Sequence, residues 1–226
     1  SPFGIASPTA FESAGDTFGD APVGTGPFKF VEWKRNASIT VEKFADYWQD
    51  GLPKLERIIF RAIPDNSARL NELFAGSIDL ADGINPSDAA SIESNSGLQL
   101  IERPSMNIGY LGLTNTRPPF DNKLVRQAVN HAIDKQAIVD AFFGGRAQVA
   151  VNPMPPSISG YNDEIIGYEY NPEKAKELLA EAGYDGAEIE LWAMPVPRPY
   201  MPDGMKVAEV IQKNLEDVGI PSKIVT

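Results

Sequence analysis

Residues 171–192 are NPEKAKELLAEAGYDGAEIELW, and they combine a helix signal with a strand signal. Asn171 is a favoured helix cap, and Pro172 suits the first helical position because the N–H that it lacks is not needed there. The apolar residues that share one helical face before the terminating Gly183 are Ala175, Leu178, Leu179 and Ala182. The run Ile189–Trp192 that follows predicts a strand. A helix followed by a strand is typical of α/β proteins.

The same alternation continues on both sides of this segment. Downstream, apolar residues at helical spacing predict a helix over residues 207–218, and residues 220–225 begin another strand. Upstream, further strands are predicted at residues 28–33, 38–44, 55–63, 78–80, 98–103 and 106–113. Further helices are predicted at residues 8–14, 65–76, 86–95, 121–133 and 134–144. The pattern predicts an α/β fold with mixed sheets and flanking helices.

Two of the upstream strands carry more specific predictions. Residues 58–60 are continuously apolar, which indicates a strand buried on both faces of a sheet. Gly109 and Gly112 interrupt the apolar run 106–113, and glycines inside a strand indicate close approach by another backbone or by a ligand. Turn-forming residues frame this run, so we expect the chain to cross between domains near residues 104–107.

Composition limits the possible functions. The chain has 226 residues and a formal net charge of −11, which repels phosphate backbones and disfavours binding to nucleic acid. Cysteine is absent, which excludes disulfides, thiol nucleophiles and cysteine metal sites. No apolar run approaches the roughly 18 to 20 residues that cross a bilayer. Because the sequence starts at Ser1 without a signal-like segment, we expect any targeting segment to lie outside these residues.

Residues 192–202, WAMPVPRPYMP, form the most distinctive loop. Each proline fixes its own φ and pushes the preceding residue toward extended conformations, so the loop is predicted to be stiff and non-helical. Arg198 lies between two of these prolines, and its planar, permanently charged guanidinium suits a bidentate grip on a carboxylate. We identify Arg198 as a candidate ligand-binding residue, with Trp192, Met194 and Tyr200 beside it. A solvated surface arginine is the alternative interpretation.

No catalytic residue, metal ligand or cofactor site is predicted. His131, the single histidine, lies in a predicted helix, where we expect it to have a structural role. The 31 acidic residues fall mostly at predicted helix caps and exposed faces. No acid–base pair or nucleophile motif stands out among them. The sequence therefore indicates a protein that is not an enzyme.

Several segments together resemble the extracytoplasmic solute-binding proteins of peptide ABC importers, family 5. The segments that carry the resemblance are Gly24–Phe28, Tyr47–Trp48, Ile63–Arg69, Gly76–Asp79, Asn107–Leu111, Pro119–Asp121, Val125–Ala128, Tyr161–Asn162 and Asn171–Gly183. Their order and spacing extend across nearly the whole chain. Residues 192–202 look most like the dipeptide-binding branch of the family.

The resemblance implies a particular architecture. The fold would be a partial two-lobed fold of the periplasmic-binding-protein type, class II or cluster C. Residues 1–105 would form part of the first lobe and residues 106–226 the first half of the second lobe, with both lobes incomplete. Family members are longer at both ends, so we expect this chain to be an internal fragment.

The resemblance also implies a function. The protein would capture dipeptides or short peptides outside the cytoplasmic membrane, in the periplasm or at the cell surface, and deliver them to ABC permease subunits. Arg198 would pair with the C-terminal carboxylate of the peptide, and Tyr200, Met194 and Trp192 would line the same wall. An acidic residue beyond this chain would hold the ammonium group of the peptide. We therefore expect the fragment to bind peptides weakly or not at all, and its sheet edges to favour self-association.

Other functions fit parts of the sequence. A member of the same family could bind a different solute, such as an oligopeptide, a glutathione-like peptide, a sugar or a nickel complex. A hydrolase with paired carboxylates is the alternative from a different class, although no such pair is recognisable. A structural or regulatory domain that reuses the fold is a third possibility. The arginine loop favours a ligand with a free carboxylate.

Overall fold

The computed structural model describes residues 4–226. The chain divides into two compact units, Ser1–Ala81 and Asp82–Thr226. One sheet is antiparallel and the other is parallel, which confirms the predicted α/β class with mixed sheets. No helix within residues 4–226 is long and apolar enough to span a membrane.

The first unit is built on a three-stranded antiparallel sheet with the spatial order β1-β2-β3. Its elements in chain order are α1 (Pro8–Ala14), β1 (Phe28–Lys34), β2 (Ser38–Lys43), β3 (Arg57–Arg61) and α2 (Asn66–Phe74). Asp65 caps α2, since its side chain accepts a hydrogen bond of 2.7 Å from the backbone N–H of Ala68. These elements confirm the strands and helices predicted up to Phe74.

One face of this sheet is apolar and poorly covered. The strand register aligns the apolar side chains in two rows, Trp33, Ile39 and Phe60 in one and Phe30, Val41 and Ile58 in the other. Among the described residues of this unit, Pro53 alone is buried. Ile59 and Phe60 are 56% and 57% exposed. The prediction that residues 58–60 are buried on both faces is therefore wrong, because the described residues of the unit bury neither face of β3.

Among residues 4–226, the second unit contains most of the helices and all of the larger buried side chains. Its elements in chain order are α3 (Ala89–Glu93), α4 (Lys123–Ala132), α5 (Lys135–Phe143), α6 (Pro172–Ala182), β4 (Ile189–Trp192), α7 (Gly204–Asp217) and β5 (Ser222–Val225). Each of these elements confirms a predicted helix or strand. A short 3-10 helix, Pro86–Asp88, leads directly into α3.

Capping residues determine where the helices of this unit begin and end. The side chains of Asp134 and Asn171 each accept a hydrogen bond of 2.9 Å from a backbone N–H in the first turn of α5 and α6. Gly144 and Gly183 end the same two helices in the left-handed conformation, with φ of 56° and 66°. These boundaries follow the sequence prediction. The cap of α4 differs from the prediction by one residue, because Asn122 rather than Asp121 accepts the hydrogen bond.

The core of the second unit forms where α4 and α6 pack together and α7 covers the parallel strand pair. Strand β4 pairs with β5 from Ile189↔Ser222 to Trp192↔Val225, and α7 connects the two strands in a βαβ unit. The fully buried side chains include Ile92, Leu215 and Ile220. Burial of this apolar surface is the main source of stability of the unit.

Three predicted strands are absent from the described structure. Residues 78–80, 98–103 and 106–113 do not join either sheet. In the last of these, Leu111 packs against the core while Tyr110 is 82% exposed, so the side chains alternate as in a strand. A strand also needs a partner for its backbone hydrogen bonds, and the described residues provide none for these segments.

Candidate functional site

The arginine loop begins where β4 ends. Ile189 and Leu191 face the core and are 8% and 4% exposed, whereas the alternating Trp192 is 69% exposed. The indole N–H of Trp192 donates a hydrogen bond of 3.1 Å to the carboxylate of Glu190 on the same face of the strand. Trp192 is therefore held along the exposed face of β4, and no hydrogen bond or ring contact joins it to the other candidate residues.

Arg198 lies at the start of a tight hairpin. Its backbone N–H donates to the carbonyl of Met201 at 3.0 Å, and the N–H of Met201 donates back to the carbonyl of Arg198 at 2.9 Å. Pro199 and Tyr200 occupy the two positions between them. Because both hydrogen bonds are backbone bonds and a proline fixes one of the two turn residues, the hairpin holds the Cα of Arg198 in a defined place.

Tyr200 and Met194 are brought together in the structure. The hydroxyl of Tyr200 donates a weak hydrogen bond of 3.9 Å to the thioether sulfur of Met194, and both side chains are half-buried. The contact joins the beginning of the loop to its hairpin. Of the residues predicted beside Arg198, these two contact each other.

The side chain of Arg198 is exposed. Within residues 4–226 no carboxylate forms an ion pair with it, whereas Arg61 pairs with Glu72 and Arg146 pairs with Glu93 and Glu102. A guanidinium without an internal carboxylate partner has its five N–H donors available to water or to an anionic ligand.

The sequence prediction missed two residues that contact the two ends of the loop. Met201 closes the hairpin, and Gly204 begins α7 so close to the loop that a Cβ on it would lie 2.5 Å from the carbonyl oxygen of Met194. The signal for Gly204 was its place directly after the helix cap Asp203, where a better helix former is usual. The predicted close approach at Gly109 is confirmed, because the carbonyl oxygen of Tyr200 would lie 2.6 Å from a Cβ there.

Two open cavities lie away from the loop. One, of about 380 Å³, is a groove between α5 and α7, and the other, of about 180 Å³, lies beside the turn between β1 and β2. Neither is lined by residues 192–202. No cluster of His, Cys, Asp or Glu within residues 4–226 is arranged to hold a metal ion.

His131 connects two helices of the core. Its Nδ1 donates to the carbonyl of Glu169 at 2.9 Å, and its ring meets Tyr168 edge to face at 5.3 Å between centroids. The carbonyl of His131 also accepts a hydrogen bond of 2.8 Å from the N–H of Asn171, the cap of α6. These contacts hold the end of α4 against the start of α6 and confirm the predicted structural role.

Known proteins of one kind resemble this chain along nearly its whole length. The heme-binding protein A of Haemophilus influenzae is 41% identical over 212 residues, which are 93% of this chain and 39% of that protein. The dipeptide-binding protein of Escherichia coli is 40% identical over 206 residues, which are 91% of this chain and 38% of that protein. The chain thus spans about two fifths of the length of these curated relatives.

The likeness extends to three-dimensional structure. An ABC transporter-associated periplasmic binding protein from Helicobacter pylori, solved with the peptide STSA, superposes with a TM-score of 0.83 at 34% identity. The match covers 98% of this chain and 43% of that one. The family described as bacterial extracellular solute-binding proteins, family 5, middle region, matches residues 2–226. The chain therefore belongs to the family 5 bacterial extracellular solute-binding proteins.

Proposed function

We propose that this chain is part of the binding component of an ABC importer, and that it captures dipeptides or short peptides through their C-terminal carboxylate. The observation that carries the proposal is the exposed guanidinium of Arg198, which has no ion-pair partner within residues 4–226 and projects from a hairpin closed by two backbone hydrogen bonds. A bidentate pair between arginine and carboxylate requires this combination of a fixed backbone and free N–H donors.

The neighbouring side chains support the same ligand. Tyr200 and Met194 form a half-buried wall with a hydroxyl and a polarizable sulfur, which suits contact with a peptide backbone and its last side chain. We place Trp192 at the edge of this wall, since it lies on the exposed face of β4. The relatives named for dipeptide binding and solved with a peptide support this substrate class.

The wider setting follows from the family. We propose that the protein acts in the periplasm or at the cell surface, passes its ligand to permease subunits and performs no chemistry on it. We assign residues 1–105 to part of one lobe and residues 106–226 to the first half of the other. In a two-lobed binder the ligand lies between the lobes and closure traps it.

A comparison of free and amidated dipeptides tests the carboxylate grip. Because Arg198 is exposed, a single carboxylate contact contributes only about 0.2–1 kcal/mol, and we expect this chain to bind dipeptides weakly, with a Kd above about 1 mM, or not at all. In an NMR titration of the ¹⁵N-arginine-labelled chain, a free dipeptide should shift the Arg198 side-chain resonance. The C-terminally amidated dipeptide should shift it much less.

Two variants separate the specific contact from general electrostatics. Arg198→Gln should reduce the affinity for the free dipeptide about two- to fivefold and remove the difference between free and amidated ligand. Arg117→Gln removes the same charge from another exposed site of the same unit and should leave both affinities unchanged. Equal affinity for free and amidated dipeptide in the unmodified chain would rule out the carboxylate grip.

Carboxylates also occur in other ligands. One relative is named for heme binding, and heme carries propionate carboxylates that Arg198 could contact. A parallel titration with hemin distinguishes the two sources. If hemin shifts Arg198 at lower concentration than any dipeptide, the peptide assignment is wrong although the carboxylate grip is right. Stronger shifts with the free dipeptide support the peptide assignment.

A further inference from the structure

The extended segment before α4 touches the arginine hairpin at Gly109. A Cβ atom on Gly109 would lie 2.6 Å from the carbonyl oxygen of Tyr200 and 3.4 Å from the terminal methyl group of Met201. The first distance is far below van der Waals contact, so any side chain at this position would push the hairpin away. The contact lies inside the second unit, since both segments belong to residues 82–226.

Position 109 requires a glycine only because there is no space for a side chain. Gly109 is absent from the glycines with positive φ, such as Gly144 with φ of 56°, so a left-handed backbone is not the reason for a glycine here. Gly109 also lies outside every helix and strand, where no secondary structure demands it. What requires glycine here is the approach of the Tyr200 carbonyl.

Met201 joins this contact to Arg198. Its side chain lies between two glycines, because its terminal methyl group is 3.4 Å from the Cβ position of Gly109 and its Cγ is 3.5 Å from that of Gly204. Met201 also forms both backbone hydrogen bonds that close the hairpin on Arg198. A displacement at Gly109 therefore reaches the backbone of Arg198 through a single residue.

We propose that Gly109 is a positioning residue for ligand binding, which lets the segment before α4 hold the Arg198–Met201 hairpin in place. The importance of this hairpin for binding rests on the function proposed above. The mechanical part, that Gly109 determines the geometry of the hairpin, stands independently. Gly204 acts at the other end of the loop by admitting the carbonyl of Met194 at the start of α7.

The test compares Gly109→Ala with Gly112→Ala in the 226-residue chain. Both glycines are exposed and lie three residues apart in the same extended segment. At Gly112 a Cβ would meet only the ring of Tyr110 at 3.8 Å, which is an ordinary contact. Gly112→Ala therefore reproduces the chemical change without the clash. Met201→Ala, which removes the side chain packed between the two glycines, gives a second variant that adds no volume.

Amide hydrogen exchange directly measures how often the hydrogen bonds of the hairpin open. The N–H groups of Arg198 and Met201 are both bonded within it, and the N–H of Ala193, which donates to Val225 at 2.8 Å, serves as the reference in the adjacent strand pair. Gly109→Ala and Met201→Ala should speed exchange at Arg198 and Met201 about tenfold while Ala193 is unchanged. Gly112→Ala should change none of the three. Thermal unfolding verifies that each variant is folded.

Two results overturn the proposal. One is that the amide groups of Arg198 and Met201 exchange at the same rate in Gly109→Ala as in Gly112→Ala. The other is equal acceleration at Ala193, which would reveal general destabilisation of the unit rather than a positioning effect. If free and amidated dipeptides shift Arg198 equally in the unmodified chain while the exchange pattern holds, the proposed carboxylate contact is wrong and the role of Gly109 stands.

Discussion

Asp203 connects the arginine hairpin to α7 at the level of a single residue. Its carboxylate accepts a hydrogen bond of 3.1 Å from the backbone N–H of Lys206 and lies 3.1 Å from the ammonium group of the same residue. The backbone hydrogen bond, helped by the lysine, holds the pKa of Asp203 below its ordinary value. The helix that follows the hairpin therefore begins at a fixed, charged cap.

Removal of this cap should destabilise the unit in a pH-dependent way. Asp203→Ala should lower the free energy of unfolding by about 1 kcal/mol at neutral pH, and Asp203→Asn by less because its amide oxygen still caps the helix. A carboxyl whose pKa is lower in the folded state contributes stability above its ordinary pKa and loses it as the pH falls through the folded pKa.

Urea unfolding of the three proteins at several pH values measures this contribution. The difference between the unmodified chain and Asp203→Asn should be constant near neutral pH and shrink in acid. A difference that grows on acidification would contradict the assigned role. Glu173→Gln provides a control. Glu173 pairs with Lys176 on the exposed face of α6, and the loss of such an exposed pair should change stability much less than Asp203→Ala does.

The role of a single residue was predictable from the sequence where its partner lies only a few residues away. The caps Asp134 and Asn171 act on a backbone N–H only three residues away, and the pattern of cap and spacing is visible in the sequence. The direction of Trp192 was not predictable, because it depends on which face of β4 the core covers. The close contact between Gly109 and Tyr200 was not predictable from the loop alone either, because it joins two segments that are distant in the sequence.

At the scale of elements, the contact between α4 and α6 is a main part of the core of the second unit. Ala128 and Ala175 are each 0% exposed and belong to the core cluster that these helices share. Small residues let two helices approach closely. Because the core is closely packed, no space remains around Ala128 and Ala175 for a larger side chain. A larger side chain there must displace a helix.

Two substitutions on one helix test this packing. Ala175→Leu should lower the free energy of unfolding by about 1–3 kcal/mol, because the added atoms overpack the α4–α6 contact. Ala180→Leu places the same side chain on the exposed face of α6 and should stay within about 0.5 kcal/mol of the unmodified chain. Chemical denaturation of both variants is the measurement. Equal stability of the two variants would mean that the α4–α6 contact can accommodate a leucine at position 175 without strain.

The elements of the chain were predictable to different extents for a physical reason. Helices α4 to α7 make their own hydrogen bonds, so their caps and apolar stripes were sufficient. The segments 98–103 and 106–113 have strand-like sequences without a pairing partner among the described residues. Sequence pattern predicts which face of such a segment is apolar, as Leu111 shows, but cannot supply the neighbouring strand.

For the whole molecule, the resemblance recognised in the sequence predicted the family, which the comparisons confirm. The division into lobes at residue 105 stays a prediction. The boundary between the two compact units lies in the sequence between Ala81 and Asp82. The continuous apolar run of residues 58–60 predicted a strand buried on both faces of a sheet. Its exposure could not be predicted, because burial depends on what covers the sheet and not on the strands themselves.

The uncovered sheet of the first unit leads to a prediction about association. Its apolar face carries two rows of three side chains across β1, β2 and β3, and Phe60 is 57% exposed. Apolar patches of this kind favour contact with other apolar surfaces, and burial of one Phe contributes about 1.5–3 kcal/mol. Strands β1 and β3 also present unpaired edges within the described sheet. We expect the 226-residue chain to self-associate through this face.

Sedimentation velocity over a range of concentrations measures the association. Phe60→Lys should weaken it about tenfold or more, since it replaces an exposed apolar side chain of this face with a charge. Ile166→Lys makes the same kind of change at a residue that is 95% exposed in the second unit, so it should leave the association unchanged. A monomer at the highest concentration would refute the prediction. Equal weakening by both variants would show that added charge, rather than the face of the sheet, controls self-association.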